Sequence, residues 1–90
     1  PNLIEVRRLQ ADVELANFRV AEAGKIIEAT LPLRPNDERL LGRLAACEFL
    51  TSGKSDEFKD ICTSVESRNS ACGAFYESLA LALNDRQRFE

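Results

Sequence analysis

Residues 36–53 read Asn36-Asp37-Glu38-Arg39-Leu40-Leu41-Gly42-Arg43-Leu44-Ala45-Ala46-Cys47-Glu48-Phe49-Leu50-Thr51-Ser52-Gly53. The stretch holds a start, a body and a stop for one α-helix. Asn36 or Asp37 caps the free amides of the first turn, and Glu38 puts negative charge at the positive end of the helix dipole. Leu41, Leu44, Ala45 and Phe49 recur at the three-to-four-residue period of a helix face. Gly53 suits the left-handed conformation that closes a helix, so Thr51–Ser55 is the clearest turn in the chain.

Upstream, Pro32 and Pro35 end the preceding helix, because proline removes a backbone donor and restricts its neighbour. That helix is expected from about Arg19 to Leu31, with Val20, Ala23, Ile26, Ile27 and Thr30 inward. Before it, Leu3 to Ala16 presents Val6, Leu9, Val13 and Ala16 on one face, and Asn17-Phe18 breaks the run. Downstream, Ser55 or Asp56 caps a fourth helix reaching about Val65, with Phe58, Ile61, Cys62 and Val65 together. Glu66 to Asn69 reads as a polar turn, followed by a fifth helix from about Ala71 to Leu83 carrying Phe75, Tyr76, Leu79, Ala80 and Leu83. Asn84-Asp85 is expected to turn the chain into a sixth helix near Arg86, cut off at Glu90. No useful β-alternation occurs, and the expected fold class is all-α.

Composition narrows the function. Ninety residues with 44% hydrophobic and 30% charged content make one small globular domain with a thin core. The net charge of −3 and the scattered Lys and Arg argue against nucleic acid, whose binders cluster basic residues to displace counterions. The longest apolar runs, such as Leu79–Leu83, are far too short to span a bilayer. The chain begins at Pro1, which reads as a piece of a longer protein. Cys47, Cys62 and Cys72 form no C-x-x-C pair and there is no His, which points to reduced thiols in a cytoplasmic protein and to no metal or other cofactor. Without His, the usual general base of Ser and Cys nucleophiles is missing. Gly53-Lys54-Ser55 echoes the end of a phosphate-binding loop, but Glu48 stands where that loop needs its glycine. No catalytic residues are expected.

The most informative feature is a period. Val6, Leu41 and Tyr76 stand 35 residues apart (41 − 6 and 76 − 41), as do Leu9, Leu44 and Leu79, and Gln10, Ala45 and Ala80. Val13, Glu48 and Leu83 form a fourth set with a polar middle member. Self-similarity at this length marks a helical repeat in which each hairpin buries its face on the next. In its pattern the chain resembles the tetratricopeptide family. Tyr76, Leu79, Ala80 and Leu83 match the family's aromatic, leucine, small and apolar series, and Phe89 falls where its second helix begins. The match is looser elsewhere: Glu48 replaces an apolar residue, Phe58 comes about four residues late, Gln10 replaces the small residue, and Phe18 lies one residue early.

This resemblance implies antiparallel hairpins stacked as a right-handed solenoid of about two and a half repeats, with units near 3–37, 38–72 and 73–90. It also implies a protein-binding role, as adaptor, chaperone or assembly factor, with a concave groove lined by first helices. By register, the groove positions are Arg7, Ala11 and Glu14, then Arg39, Gly42, Ala46 and Phe49, then Ala74, Glu77, Leu81 and Asn84. From these, Phe49 and Leu81 are the expected apolar anchors, Arg7 and Arg39 the charged edges, and Ala46 and Glu77 further partner contacts. Such a groove suits an apolar helix or extended segment. With its second helix cut short, the third unit would leave Leu79 and Leu83 partly bare and favour a homo-oligomer there. Two other readings exist. Pentatricopeptide repeats share this length and read single-stranded RNA, which the acidic balance disfavours. The other is a purely structural, oligomerising helical segment with no groove ligand.

Overall fold

The computed structural model describes the backbone of residues 2–87 and the side chains of residues 2–84. Among these residues the fold is all-helical: α1 (Leu3–Ala16), α2 (Val20–Thr30), a 3-10 turn (Leu31–Leu33), α3 (Glu38–Ser52), α4 (Asp56–Arg68) and α5 (Gly73–Gln87).

Local chemistry sets the boundaries. Asn2 Oδ1 accepts from Glu5 N (2.8 Å) to open α1. Asp37 Oδ1 accepts from Arg39 N and Leu40 N (2.9 and 3.2 Å) to open α3, and Ser55 Oγ accepts from Phe58 N (3.2 Å) to open α4. Each satisfies an amide that has no partner inside its helix. Gly53 adopts φ 65° and ends α3, its amide bonding to Phe49 O (2.7 Å). Between α1 and α2, Phe18 takes a left-handed φ of 63°, and the Arg19 guanidinium bonds the Glu14 carboxylate across the turn.

Two expected boundaries differ. Residues Glu66 to Arg68 belong to α4, and the connection to α5 shifts to Asn69–Cys72. No turn occurs at Asn84-Asp85, because α5 continues to Gln87. Residues 84–87 contain neither proline nor glycine to break it. Phe89, the expected aromatic of a second helix, and the rest of the expected sixth helix from residue 88 on lie outside the described residues.

α3 is the hub, packing against α2, α4 and most extensively α5, while α1 packs against both α2 and α5. The core runs through Leu15, Ile27, Leu40, Ala45, Val65 and Phe75. The α3–α5 approach is close enough that a Cβ on Gly42 would sit 2.5 Å from Ser78 Cβ and 2.6 Å from Phe75 O. Only a residue without a side chain fits there.

The inward face of α1 is not the expected one. Ala11 and Leu15 are fully buried and Ile4 is half-buried, whereas Leu9 and Val13 are 53% and 57% exposed. At about 100° per residue the two stripes lie roughly 160° apart on the helix. Similarly, α5 buries Phe75, Ser78, Leu79 and Ala82 and leaves Tyr76 and Ala80 exposed. Leu79 is therefore covered and Leu83 half-buried, so the face expected to be bare is largely occupied by the fold itself.

Candidate functional site

The same 35-residue step that runs through the apolar pattern also selects the lining of a groove. Ile4, Arg39 and Ala74 are related by it (39 − 4 and 74 − 39), and all three line a recess of about 450 Å³ where α1, α3 and α5 begin. Arg8, Arg43 and Ser78 are related by it as well, and all three line an adjoining recess of about 200 Å³. Arg8, Arg39 and Ala74 are shared between the two recesses, which makes them one groove. Glu77 and Leu81 carry it on to a shallow apolar shelf with Ala80 and Leu83. The odd-numbered helices thus place equivalent positions along one seam.

A polar network forms the floor. The Arg43 side chain is only 11% exposed, and its guanidinium donates to both oxygens of Asp12 (Nε 2.7 Å, Nη2 3.1 Å). Its Nη1 donates to Ser78 Oγ (2.8 Å) and to the Arg39 carbonyl (3.1 Å). Ser78 Oγ in turn donates to the same carbonyl (2.5 Å). One residue of α3 therefore ties α1 to α5, with its charge and its fork geometry both satisfied. At the neighbouring end, Glu38 of α3 serves as a cap for another helix. Its Oε1 accepts from Phe75 N in the first turn of α5 (3.2 Å), and its Oε2 from Asn69 Nδ2 (2.7 Å).

The residues expected to bind a partner divide into two groups. Arg39, Glu77 and Leu81 are brought together on the groove, all exposed, Leu81 by 49%. Arg7 is exposed on α1 but lines none of these recesses. Ala46, expected as a partner contact, is fully buried in the core, because packed helices cover the face that carries it. Ala11 and Gly42 are buried for the same reason. Phe49 is half-buried against Phe58 of α4, with ring centroids 5.4 Å apart, so it belongs to the α3–α4 hairpin and not to the groove. Glu14 is held by Arg19, which lowers its carboxyl pKa through the hydrogen bond between them.

Arg8, Arg34 and the Asp12–Arg43–Ser78 network were not selected by the apolar pattern. For Arg8, Arg43 and Ser78 the signal lies in the period itself, since they occupy equivalent places one register position away from the apolar sets; Arg34 and Asp12 lie outside it. Burial first, then Glu48, Glu28 and Asp12, push the Cys47 thiol up to about 12. Burial and nearby carboxylates also raise Cys62 and Cys72. Among the described residues no cluster of potential metal ligands occurs and no helix is long and apolar enough to cross a membrane. Comparison with models of protein families, with curated proteins and with solved structures finds no match to this chain.

Proposed function

We propose that this chain is a protein–protein interaction module built on a tetratricopeptide-like helical repeat, and that the seam of α1, α3 and α5 receives a segment of a partner. The observation that carries the reading is the groove lining. Positions related by the 35-residue step converge on one surface, where the exposed apolar Leu81 shares the lining with the charged Arg39 and Glu77. A rigid floor and an exposed rim of mixed character are what a peptide-binding surface requires, because preorganisation lowers the ordering cost of association. The contact between α1 and α5 closes the first and third units on each other, so the groove is short and holds a few residues of a partner. No catalytic role is assigned to it.

Peptide display on the purified chain tests this reading, with Leu81→Lys as the counter-selection. Peptides retained by the parent and lost by the variant support the groove. Peptides retained equally by both rule it out.

A second reading has its own observation. Leu3, Leu9 and Val13 are exposed on the outer face of α1, and a second copy of the chain would cover them. Under this reading the piece is an oligomerising element. Light scattering distinguishes it: a dimer abolished by Leu9→Lys with Val13→Lys supports self-association, and a monomer over the working concentration range removes it.

A further inference from the structure

The groove has a chemically distinct end. Arg8, Arg34 and Arg39 line the recess where α1, α3 and α5 begin, and none of the three is in an ion pair among the described residues. This contrasts with Arg43 a turn further in, whose guanidinium is fully engaged. Three carboxylates, Glu5, Asp37 and Glu38, share the recess. Asp37 is occupied by the first-turn amides of α3, and Glu38 by Phe75 N and Asn69. Each helix N-terminus acts as roughly half a positive charge, and three of them meet here, so the capping carboxylates are offset by the helices they cap. Three arginines face three carboxylates, Glu5 among them, so the partial positive charges of the three helix N-termini leave this end of the groove net positive, with the arginine forks unpaired. Guanidinium forks favour planar oxyanions and bind them in pairs of parallel hydrogen bonds.

We propose that this end of the groove is a carboxylate-binding pocket that holds an acidic stretch of the partner segment, while the following apolar residue of that segment rests on Leu81 and Leu83. The proposal rests on the groove reading above and adds to it a partner chemistry, acidic and then apolar. Complementarity runs in the same order along the groove, from the three arginines, past Glu77, to the apolar shelf. Arg34 lies in the loop before α3, and Arg8 and Arg39 lie on α1 and α3, so three separate elements converge on the bound group. The Arg39 side chain is free to do so because its backbone carbonyl, not its guanidinium, serves the network below.

Fluorescence polarisation with a fluorescein-labelled peptide of six glutamates followed by two leucines tests the pocket, alongside the same peptide with glutamines. At low salt the glutamate peptide is expected to bind saturably and at least about ten-fold tighter than the glutamine peptide. Replacing Arg8, Arg34 or Arg39 by Gln is expected to weaken it by about two- to five-fold each, as partly exposed charge pairs do. Added salt should erase the difference, since such pairs are screened within about 10 Å at 0.1 M. Arg7→Gln, outside the groove, should leave binding unchanged. Arg34→Gln is the safest variant, because the hydrogen bonds of Arg34 are backbone to backbone, from its N to Leu31 O (2.9 Å) and from Asp37 N to its O (3.1 Å), and survive the change. Equal binding of the two peptides, no saturable binding, or indifference to all three arginine changes overturns the proposal. Inorganic phosphate binding as tightly as the glutamate peptide overturns it too, in favour of a small free anion. Those failures leave the display experiment untouched, because it selects peptides of any charge.

Discussion

Replacing Arg43 by Met removes a guanidinium that makes four hydrogen bonds: two to Asp12 and one each to Ser78 Oγ and the Arg39 carbonyl. Methionine keeps much of the apolar stem, so the loss isolates the charge and its bonds. Hydrogen bonds to charged groups contribute about 1.5–3 kcal/mol each in favourable cases, and breaking a fully buried pair costs about 3–5 kcal/mol. The Asp12 side chain is 22% exposed and recovers some hydration, and Ser78 keeps its own bond to the Arg39 carbonyl. The net cost is therefore expected to be about 2–3 kcal/mol. A chain of this length has a total stability of roughly 5–13 kcal/mol, so the variant folds but is clearly weakened. With a urea slope near 1–1.5 kcal/mol per molar, the midpoint should fall by on the order of 2 M. A double-mutant cycle with Asp12→Ala should return a coupling of about 1–3 kcal/mol. A cost below about 0.5 kcal/mol, or additive single changes, would refute the view that Arg43 ties α1 to α5.

Gly42→Ala gains about 1 kcal/mol of helix propensity but drives a methyl into the α5 backbone at 2.6 Å, and should lower stability by a net 1–3 kcal/mol, on the order of an overpacked core. Urea unfolding checks the sign, and a stabilised variant would mean that α3 and α5 do not meet there. Leu15→Ala should cost about 2–5 kcal/mol, while Leu9→Ala and Val13→Ala each cost under about 1 kcal/mol, because only the first is buried. Cys47 should resist thiol reagents at pH 8 in the folded protein and react only on unfolding, with half-buried Cys62 labelled first. Its raised folded pKa means that the folded state holds the proton more tightly. The corresponding stability is present below pH 9, the thiol's ordinary value, and is lost as pH rises towards about 12. Stability measured from pH 8 to 11 in Cys47→Ala should show a shallower alkaline decline than the parent.

The helices were legible because their punctuation is chemical. Asp37, Gly53 and Ser55 cap or close helices for reasons that need no tertiary context, and Pro32 and Pro35 bar the continuation of α2. The inward face of α1 was not legible. That helix carries apolar stripes on opposite sides, and of the expected one, Val6–Leu9–Val13, Leu9 and Val13 point outward while Val6 is half-buried. The buried stripe is interrupted by Arg8 and Asp12, which face other polar groups on α3 and around the groove, so it scores poorly as apolar. Burial of Ala46 was hidden for a related reason. The register that assigned it to a groove assumes an open stack, whereas α2, α4 and α5 all pack on α3 and α5 also meets α1. The continuation of α5 through Asn84-Asp85 shows how weak a two-residue polar signal is against a helix already anchored by Phe75, Leu79 and Ala82. Of the groove, Arg39, Glu77 and Leu81 were within reach of the sequence, since they are exposed first-helix positions. The arginine pocket was not, because it assembles residues from three separate elements.

The proposed function has a partner segment lying along the seam of α1, α3 and α5. Amide chemical-shift mapping on the isotopically labelled chain, titrated with a peptide selected by display, tests it most directly. The perturbed amides are expected to cluster at Arg39, Ala74, Glu77, Ser78 and Leu81, with little change at Leu9 and Val13. Perturbations concentrated on Leu3, Leu9 and Val13, with the groove silent, would contradict it and place recognition on the outer face of α1.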